Sequence, residues 1–149
     1  MTIYKYNKSC ASILFYDGEY YTLGTFFGGF GADSFAIADL NGDDCEELYF
    51  TFSWGSGIHR SQIGCFDTAE KQVLEYGFSN YFSEMVLTAE DNRLLVYDAD
   101  LDYEKISFVD MNLIPTEKIG ELVFDGKEVL LQIDETDESF SPVIFSLTD

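Results

Sequence analysis

Hydrophobic and polar positions alternate along most of this chain with a period of two, the pattern of half-buried β-strands. The clearest run covers residues 48–54. Its even-numbered side chains are Leu48, Phe50, Phe52 and Trp54, and its odd-numbered ones are Tyr49, Thr51 and Ser53. Successive strand residues point to opposite faces, so we expect the even-numbered set to face a hydrophobic core.

Turn residues separate the alternating runs and predict tight hairpins. Asp17-Gly18 lies between strands expected at residues 12–16 and 19–23, and a two-residue Asp-Gly loop favours a type I′ turn. Asp125-Gly126-Lys127 marks a second hairpin, which covers residues 119–133. Both signals predict antiparallel pairing of neighbouring strands.

Further strands are expected at residues 34–38, 58–66, 73–78, 85–88, 93–98, 105–113 and 143–147. Pro115 is expected to end the strand over 105–113. About 10–12 short strands joined by tight turns are typical of an antiparallel meander, a propeller-like sheet or a sandwich. The pattern therefore predicts one all-β domain over residues 1–149.

Composition adds a large negative charge to this picture. The chain has 28 acidic and 8 basic residues, a formal net charge of −20. Such a charge repels nucleic acid and anionic membranes, and the sequence has no apolar run of about 18 residues that would span a membrane. Three roles of the acidity stay open: solubility, cation binding, and docking on a basic partner.

The cysteines indicate neither a zinc site nor a disulfide framework. Cys10, Cys45 and Cys65 are odd in number and have no zinc-type spacing, so we expect Cys10 and Cys65 to be buried thiols. Residues 1–6 lack the apolar stretch of a signal peptide. The chain as written is expected to be cytoplasmic, and extracellular if an upstream export segment was removed.

The segment over residues 39–48 concentrates oxygen-bearing side chains between two expected strands. Asp39, Asn41, Asp43 and Glu47 provide carboxylate and amide oxygens, and Gly42 lies inside the turn. Calcium takes six to eight oxygen ligands of this kind. The spacing predicts a calcium loop. The alternative is an Asx-type turn whose side chains bind backbone amides without a cation.

The stretch from about residue 27 to residue 66 resembles the FG-GAP and VCBS-type repeats of integrin-like β-propellers. The resemblance lies in Phe27-Gly28-Gly29-Phe30-Gly31, in the apolar Phe35-Ala36-Ile37-Ala38, and in the acidic loop that follows. It implies one blade-like unit. A closed propeller needs at least four blades of four strands, so a chain of 149 residues would form an open or sandwiched sheet.

The resemblance also implies a ligand set for calcium. In that family the first, third, fifth and ninth loop positions bind the ion through side chains, and the seventh through its carbonyl. Carried over, the side-chain ligands would be Asp39, Asn41, Asp43 and Glu47, with the carbonyl oxygen of Cys45. The family usually has a glycine where Asp44 stands and an aspartate where Glu47 stands.

A second group of candidates follows the acidic loop. His59 is the only histidine, and Trp54, His59 and Arg60 lie around the Gly55-Ser56-Gly57 turn. We expect a protein-interaction surface here, with Arg60 paired to nearby carboxylates. A hydrolytic role for His59 ranks last, because the sequence places no nucleophile beside it.

These observations favour a non-enzymatic binding or interaction module with a structural calcium ion and a protein partner. The cation would rigidify the turn between two core strands and so support the Trp54–His59 segment. The alternative is a small acidic inhibitor or immunity-type protein that docks on a basic partner, with calcium incidental.

Overall fold

The computed structural model describes residues 1–6, 8–91, 93–105, 107 and 111–133, and over these residues the protein is all-β. It contains eleven strands: β1 (Thr2–Lys5), β2 (Ser12–Tyr16), β3 (Glu19–Thr22), β4 (Gly31–Ala38), β5 (Glu47–Trp54), β6 (Arg60–Asp67), β7 (Gln72–Tyr81), β8 (Glu84–Glu90), β9 (Arg93–Leu101), β10 (Leu113–Phe124) and β11 (Val129–Ile133). None of the described segments forms a helix that could cross a membrane.

The strands form three antiparallel sheets. Their orders are β1-β2-β3, β4-β5-β6-β7 and β11-β10-β9-β8, and each ladder joins strands that are neighbours in the chain. The described strands do not close into a barrel. This architecture confirms the predicted all-β meander or sandwich and the expected number of strands.

The middle sheet, β4-β5-β6-β7, is covered on both faces. On one face, Leu14 and Leu23 pack against Phe50, Phe52 and other residues of the middle sheet. On the opposite face, Tyr49 and other middle-sheet residues share a second core with β8, β9 and β10. Strand β5 is therefore buried along nearly its whole length. The predicted core face is confirmed, and the alternate face is a core face as well.

Buried serines connect the three sheets. Ser34 Oγ on β4 accepts the backbone N–H of Leu87 at 2.9 Å, and Ser61 Oγ on β6 accepts that of Met85 at 3.1 Å. Ser12 Oγ on β2 accepts the N–H of Ala32 at 3.1 Å. Unpaired amides of edge strands are costly to bury, so these contacts let the sheets stack closely.

The predicted hairpins are present. Asp17 and Gly18 have φ of 48° and 83° between β2 and β3, as a type I′ turn requires. The second hairpin pairs Phe124 with Val129, and Asp125 Oδ1 accepts the N–H groups of Lys127 and Glu128 at 2.9 Å.

The strand expected over residues 105–113 is wrong within the described residues. Lys105 ends a turn, and β10 begins only at Leu113 and continues through Pro115. The register shifts immediately after Pro115, and β11 pairs only with the far end of β10. Proline is tolerated at such irregular or marginal positions of a sheet. The strand expected at 143–147 lies outside the described residues.

Of the two cysteines expected to be buried, only Cys65 is buried. Cys65 is 2% exposed on β6, and burial raises the pKa of its thiol to about 12. Cys10 is only half-buried, because it lies in the turn before β2 with φ of 55° and donates its N–H to Tyr6 O. The free cysteines of the described chain form no disulfide.

Candidate metal centre and aromatic cleft

The acidic loop connects β4 to β5, two adjacent antiparallel strands. Ala38 and Glu47 are paired in register, so the intervening residues 39–46 close the end of the hairpin. Gly42 and Asp44 have φ of 74° and 65°. Asp44 stands where the resembling repeats usually have glycine, and its left-handed conformation gives a physical reason for that preference.

Asp39 organises the loop backbone. Its Oδ1 accepts the N–H groups of Gly42 at 2.8 Å and Asp43 at 3.2 Å, and its Oδ2 accepts that of Asp44 at 3.0 Å. Asp43 Oδ1 accepts the N–H of Cys45 at 2.8 Å. The Asx-type contacts considered from the sequence are thus present, and they hold the carboxylates in place.

Three carboxylates converge within this loop. One oxygen from each of Asp39, Asp43 and Glu47 lies within 4.8 Å of the others. Asp39 and Asp43 are exposed, whereas Glu47 is 4% exposed. Burial, followed by the charges of Asp43 and Asp39, raises the pKa of Glu47. The donor set is hard, anionic and partly dehydrated, which fits calcium.

Asn41 and Cys45 occupy the loop differently from the implied ligand set. Asn41 Nδ2 donates to Asp43 Oδ2 at 3.2 Å and to Glu47 Oε1 at 3.5 Å, while Asn41 Oδ1 accepts the N–H of Asp43 at 2.9 Å. The amide therefore presents its N–H group, not its oxygen, to the carboxylates. Cys45 contacts the cluster through its backbone N–H, and the Asp43 charge raises the pKa of its thiol.

A broad cleft borders the loop. Its volume is about 1110 Å³. Its acidic lining consists of Asp39, Asp44, Glu46, Glu90 and Asp91, accompanied by Arg93. This end of the molecule therefore presents more negative than positive side chains.

Trp54, His59 and Arg60 lie at the opposite end of β5. The strand runs from Glu47 to Trp54, about 23 Å at the usual rise per residue. The acidic loop is consequently not the neighbour of the Trp54–His59 segment in space, and any support that a cation gives to that segment would pass through the sheet.

Arg60 stacks on aromatic rings. It is paired in register with Trp54, and its guanidinium lies 4.6 Å from the Trp54 ring centroid and 5.7 Å from that of Tyr81. None of the ion pairs among the described residues involves Arg60, so the expected pairing with carboxylates is not found there. Cation–π attraction and the flat stacking surface explain the preference.

His59 pairs with a carboxylate that sequence reasoning missed. Its Nε2 lies 2.5 Å from Glu84 Oε1, and the two side chains are 26% and 5% exposed. The hydrogen bond to Glu84 raises the pKa of His59, against the effect of burial. Glu84 lies 25 positions further along the chain, in a segment with no clear helix or strand period, so no local signal indicated the pair.

A second cleft, of about 550 Å³, opens above this pair. Its walls are the aromatic rings of Phe30, Phe82 and Tyr103, and Asp100 lies among its lining residues. Phe82 and Tyr103 are 76% and 77% exposed. We name this site the aromatic cleft.

Comparison of the chain with protein-family models, with curated proteins and with solved structures finds no match. The resemblance to FG-GAP repeats stays a prediction.

Proposed function

We propose that the protein is a non-enzymatic protein-binding module in which a structural calcium ion holds the Asp39–Glu47 loop. The burial of Glu47 carries this proposal. Its side chain meets two other carboxylates within 4.8 Å, and the hydrogen bonds that it accepts from Asn41 Nδ2 and from the Tyr49 hydroxyl are both 3.5 Å long. Contacts at this length are weak, so a buried charge there needs a cation to balance it.

The residues that would hold calcium are the carboxylates of Asp39, Asp43 and Glu47. The ion would supply positive charge and bridge the loop to the first residue of β5. The N–H donors of the loop already fix Asp39 and Asp43, so binding costs little further ordering. A half-turn of the Asn41 amide would present its oxygen in place of its N–H group.

Thermal unfolding with calcium and with chelator tests the calcium site. Calcium at about 100 times its dissociation constant should stabilise the parent by about 2.7 kcal/mol. Asp43→Asn should lose most of this gain. Asp91→Asn removes the same charge from an exposed turn and should keep it. A parent whose melting temperature does not respond to calcium, or an Asp43→Asn variant with the parent's response, would refute the site.

A second candidate is an acidic inhibitor or immunity-type protein that docks on a basic partner. The acidic cleft beside the loop favours it, because five of its carboxylates are exposed around a concave surface: Asp39, Asp44, Glu46, Glu90 and Asp91. Exposed charges at an interface are screened by salt. A basic partner retained on the immobilised protein at low salt and released at high salt would support this role. Retention that does not depend on salt would argue against it.

A hydrolase that uses His59 is the least supported function. Ser83 is the serine that lines the aromatic cleft, and its hydroxyl donates to Asp98 Oδ1 at 2.7 Å. A serine nucleophile would instead be hydrogen-bonded to the histidine that activates it. Hydrolytic activity lost in His59→Ala would overturn the non-enzymatic proposal.

A further inference from the structure

The turn between β7 and β8 displays Phe82 in a conformation that costs free energy. Phe82 has φ of 67°, which is rare for a residue with a bulky side chain. Its ring is nevertheless 76% exposed, so burial of the ring does not offset the strain. Backbone strain that serves no packing role is found mainly at functional sites.

Buried hydrogen bonds fix this turn in place. Asn80, which is 5% exposed, donates to Ser83 Oγ at 2.8 Å and to Asp98 Oδ1 at 2.7 Å. The Phe82 N–H donates to His59 O at 3.1 Å. The backbone that carries Phe82 is therefore fixed at the edge of the cleft that Phe82 lines.

The cleft combines these rings with carboxylates. Glu84 is buried and uses Oε1 for His59, while its Oε2 makes no hydrogen bond to another described residue. Asp100 is exposed in the same lining. Among the described residues that line the cleft, His59 is the only basic one. Aromatic faces beside carboxylates suit a planar cation, which can stack on the rings and donate hydrogen bonds to the carboxylates from its edge.

One guanidinium of the protein, that of Arg60, already stacks on aromatic rings. Arg60 stacks on Trp54 and Tyr81 at the same end of the molecule, and the Tyr81 ring lies 6.5 Å from that of Phe82. The volume of the aromatic cleft, about 550 Å³, is within the range of ligand pockets and much larger than the volume of one water molecule. The net charge of −20 would draw a basic partner towards the site.

We propose that the aromatic cleft binds the guanidinium side chain of an arginine presented by a basic partner protein. Phe82 and Tyr103 would stack on the guanidinium plane, and Asp100 and Glu84 Oε2 would accept its N–H groups. The inference rests on the proposed binding role and names the chemistry of the partner. It does not depend on calcium, because the loop lies at the other end of β5.

The probe is the capped tripeptide acetyl-Gly-Arg-Gly-amide, titrated at physiological salt and followed by amide NMR shifts. Its matched control replaces arginine with citrulline, which has the same shape without the charge. We expect saturable shifts at Phe82, Glu84, Asp100 and Tyr103, and about tenfold weaker binding of the citrulline peptide. Both titrations are run with calcium and with chelator.

Two variants assign the binding to the cleft. Phe82→Ala and Asp100→Asn should each weaken binding about threefold to tenfold. Their controls are Tyr20→Ala, an aromatic side chain that is 70% exposed on β3, and Asp91→Asn, an exposed carboxylate outside the cleft. Both controls should bind the peptide as the parent does.

Several results would overturn the proposal. One is the absence of saturable shifts with the arginine peptide. Another is equal affinity for the citrulline peptide, which would mean that charge is not recognised. A third is a set of shifts centred on residues 39–44, which would indicate nonspecific attraction to the acidic loop. The calcium melting test and the peptide titration give independent results. A protein that does not respond to calcium could still bind the arginine peptide, so each proposal can be refuted without the other.

Discussion

At one end of β5 the Asp39–Glu47 loop gathers three carboxylates around a space with no basic side chain in the described cluster. At the other end, the buried carboxylate of Glu84 is hydrogen-bonded to His59, and Arg60 stacks on aromatic rings. We propose that the first end takes up a cation, which would balance this charge. At the second end, Phe82, Tyr103 and Asp100 are exposed, and these are the groups that we propose bind the arginine of a partner.

Both ends are attached to the same buried strand, β5. Truncation of a side chain at the centre of β5 should therefore reduce the stability of the protein more than any other change proposed here. Phe50→Ala removes a fully buried ring that packs against the backbone of Gly64, and should cost about 3–5 kcal/mol of unfolding free energy. Phe35→Ala is the matched control, since Phe35 pairs with Phe50 in register but is 38% exposed, and should cost about 1 kcal/mol.

Urea unfolding followed by two probes measures this effect. Trp54 is the only tryptophan and reports the aromatic end, whereas far-ultraviolet circular dichroism reports all strands. The two transitions should coincide in the parent and in both variants. A tryptophan transition that precedes the loss of strand signal would show that the aromatic end unfolds independently of β5.

The His59–Glu84 pair should make the stability of the aromatic end sensitive to pH near neutrality. In the folded state the pKa of His59 lies above its ordinary value of 6.5, because its ring is hydrogen-bonded to Glu84. The folded state therefore binds the imidazole proton more tightly than the unfolded chain does. The stabilisation is fully present below about 6.5 and is lost as the pH rises through the raised folded value. Glu84 and Asp100 are the carboxylates that line the cleft beside this ring.

Urea midpoints across this pH range, for the parent and for His59→Gln, test the effect. The parent should lose about 1–2 kcal/mol relative to the variant as the pH rises. A difference that is constant with pH would show that the pair does not contribute through the charge of the imidazolium.

The smallest expected effect concerns the backbone of the acidic loop. Asp44 has φ of 65°, so Asp44→Gly should relieve strain that Asp44→Asn retains, while both variants remove the same charge. The unfolding free energy of the glycine variant, measured by thermal unfolding without calcium, should exceed that of the asparagine variant by up to about 1 kcal/mol. A less stable glycine variant would show that chain entropy outweighs the strain at this position.

Local sequence signals predicted the features that depend on neighbouring residues. The Asp17-Gly18 turn, the alternation within β5 and the spacing of the acidic loop all follow from short-range rules. The second buried face of β5 could not be predicted, because Tyr49, Thr51 and Ser53 are equally suited to solvent. Burial of Tyr49 becomes favourable only when the sheet of β8, β9 and β10 packs over it, and Ser53 is buried where its hydroxyl accepts the N–H of Phe30.

The features that sequence reasoning missed all depend on distant contacts. Glu84 on β8 contacts His59, which precedes β6 in a different sheet. Phe82 becomes a candidate binding residue only because the fold places it beside that pair. Pro115 does not end a strand, because a register shift immediately after it accommodates the proline inside β10. The strand therefore begins at Leu113 and does not end there. The orientation of the Asn41 amide likewise follows from the packed loop and not from its spacing.

The separation of the two ends is tested most directly by a calcium titration followed through backbone amide NMR shifts. We expect saturable shifts over residues 39–47, no shifts at Phe82 and Tyr103, and an unchanged affinity for the arginine tripeptide. A spectrum that does not respond to calcium, or calcium-dependent shifts at Phe82 accompanied by altered peptide affinity, would contradict a structural calcium loop that acts independently of the aromatic cleft.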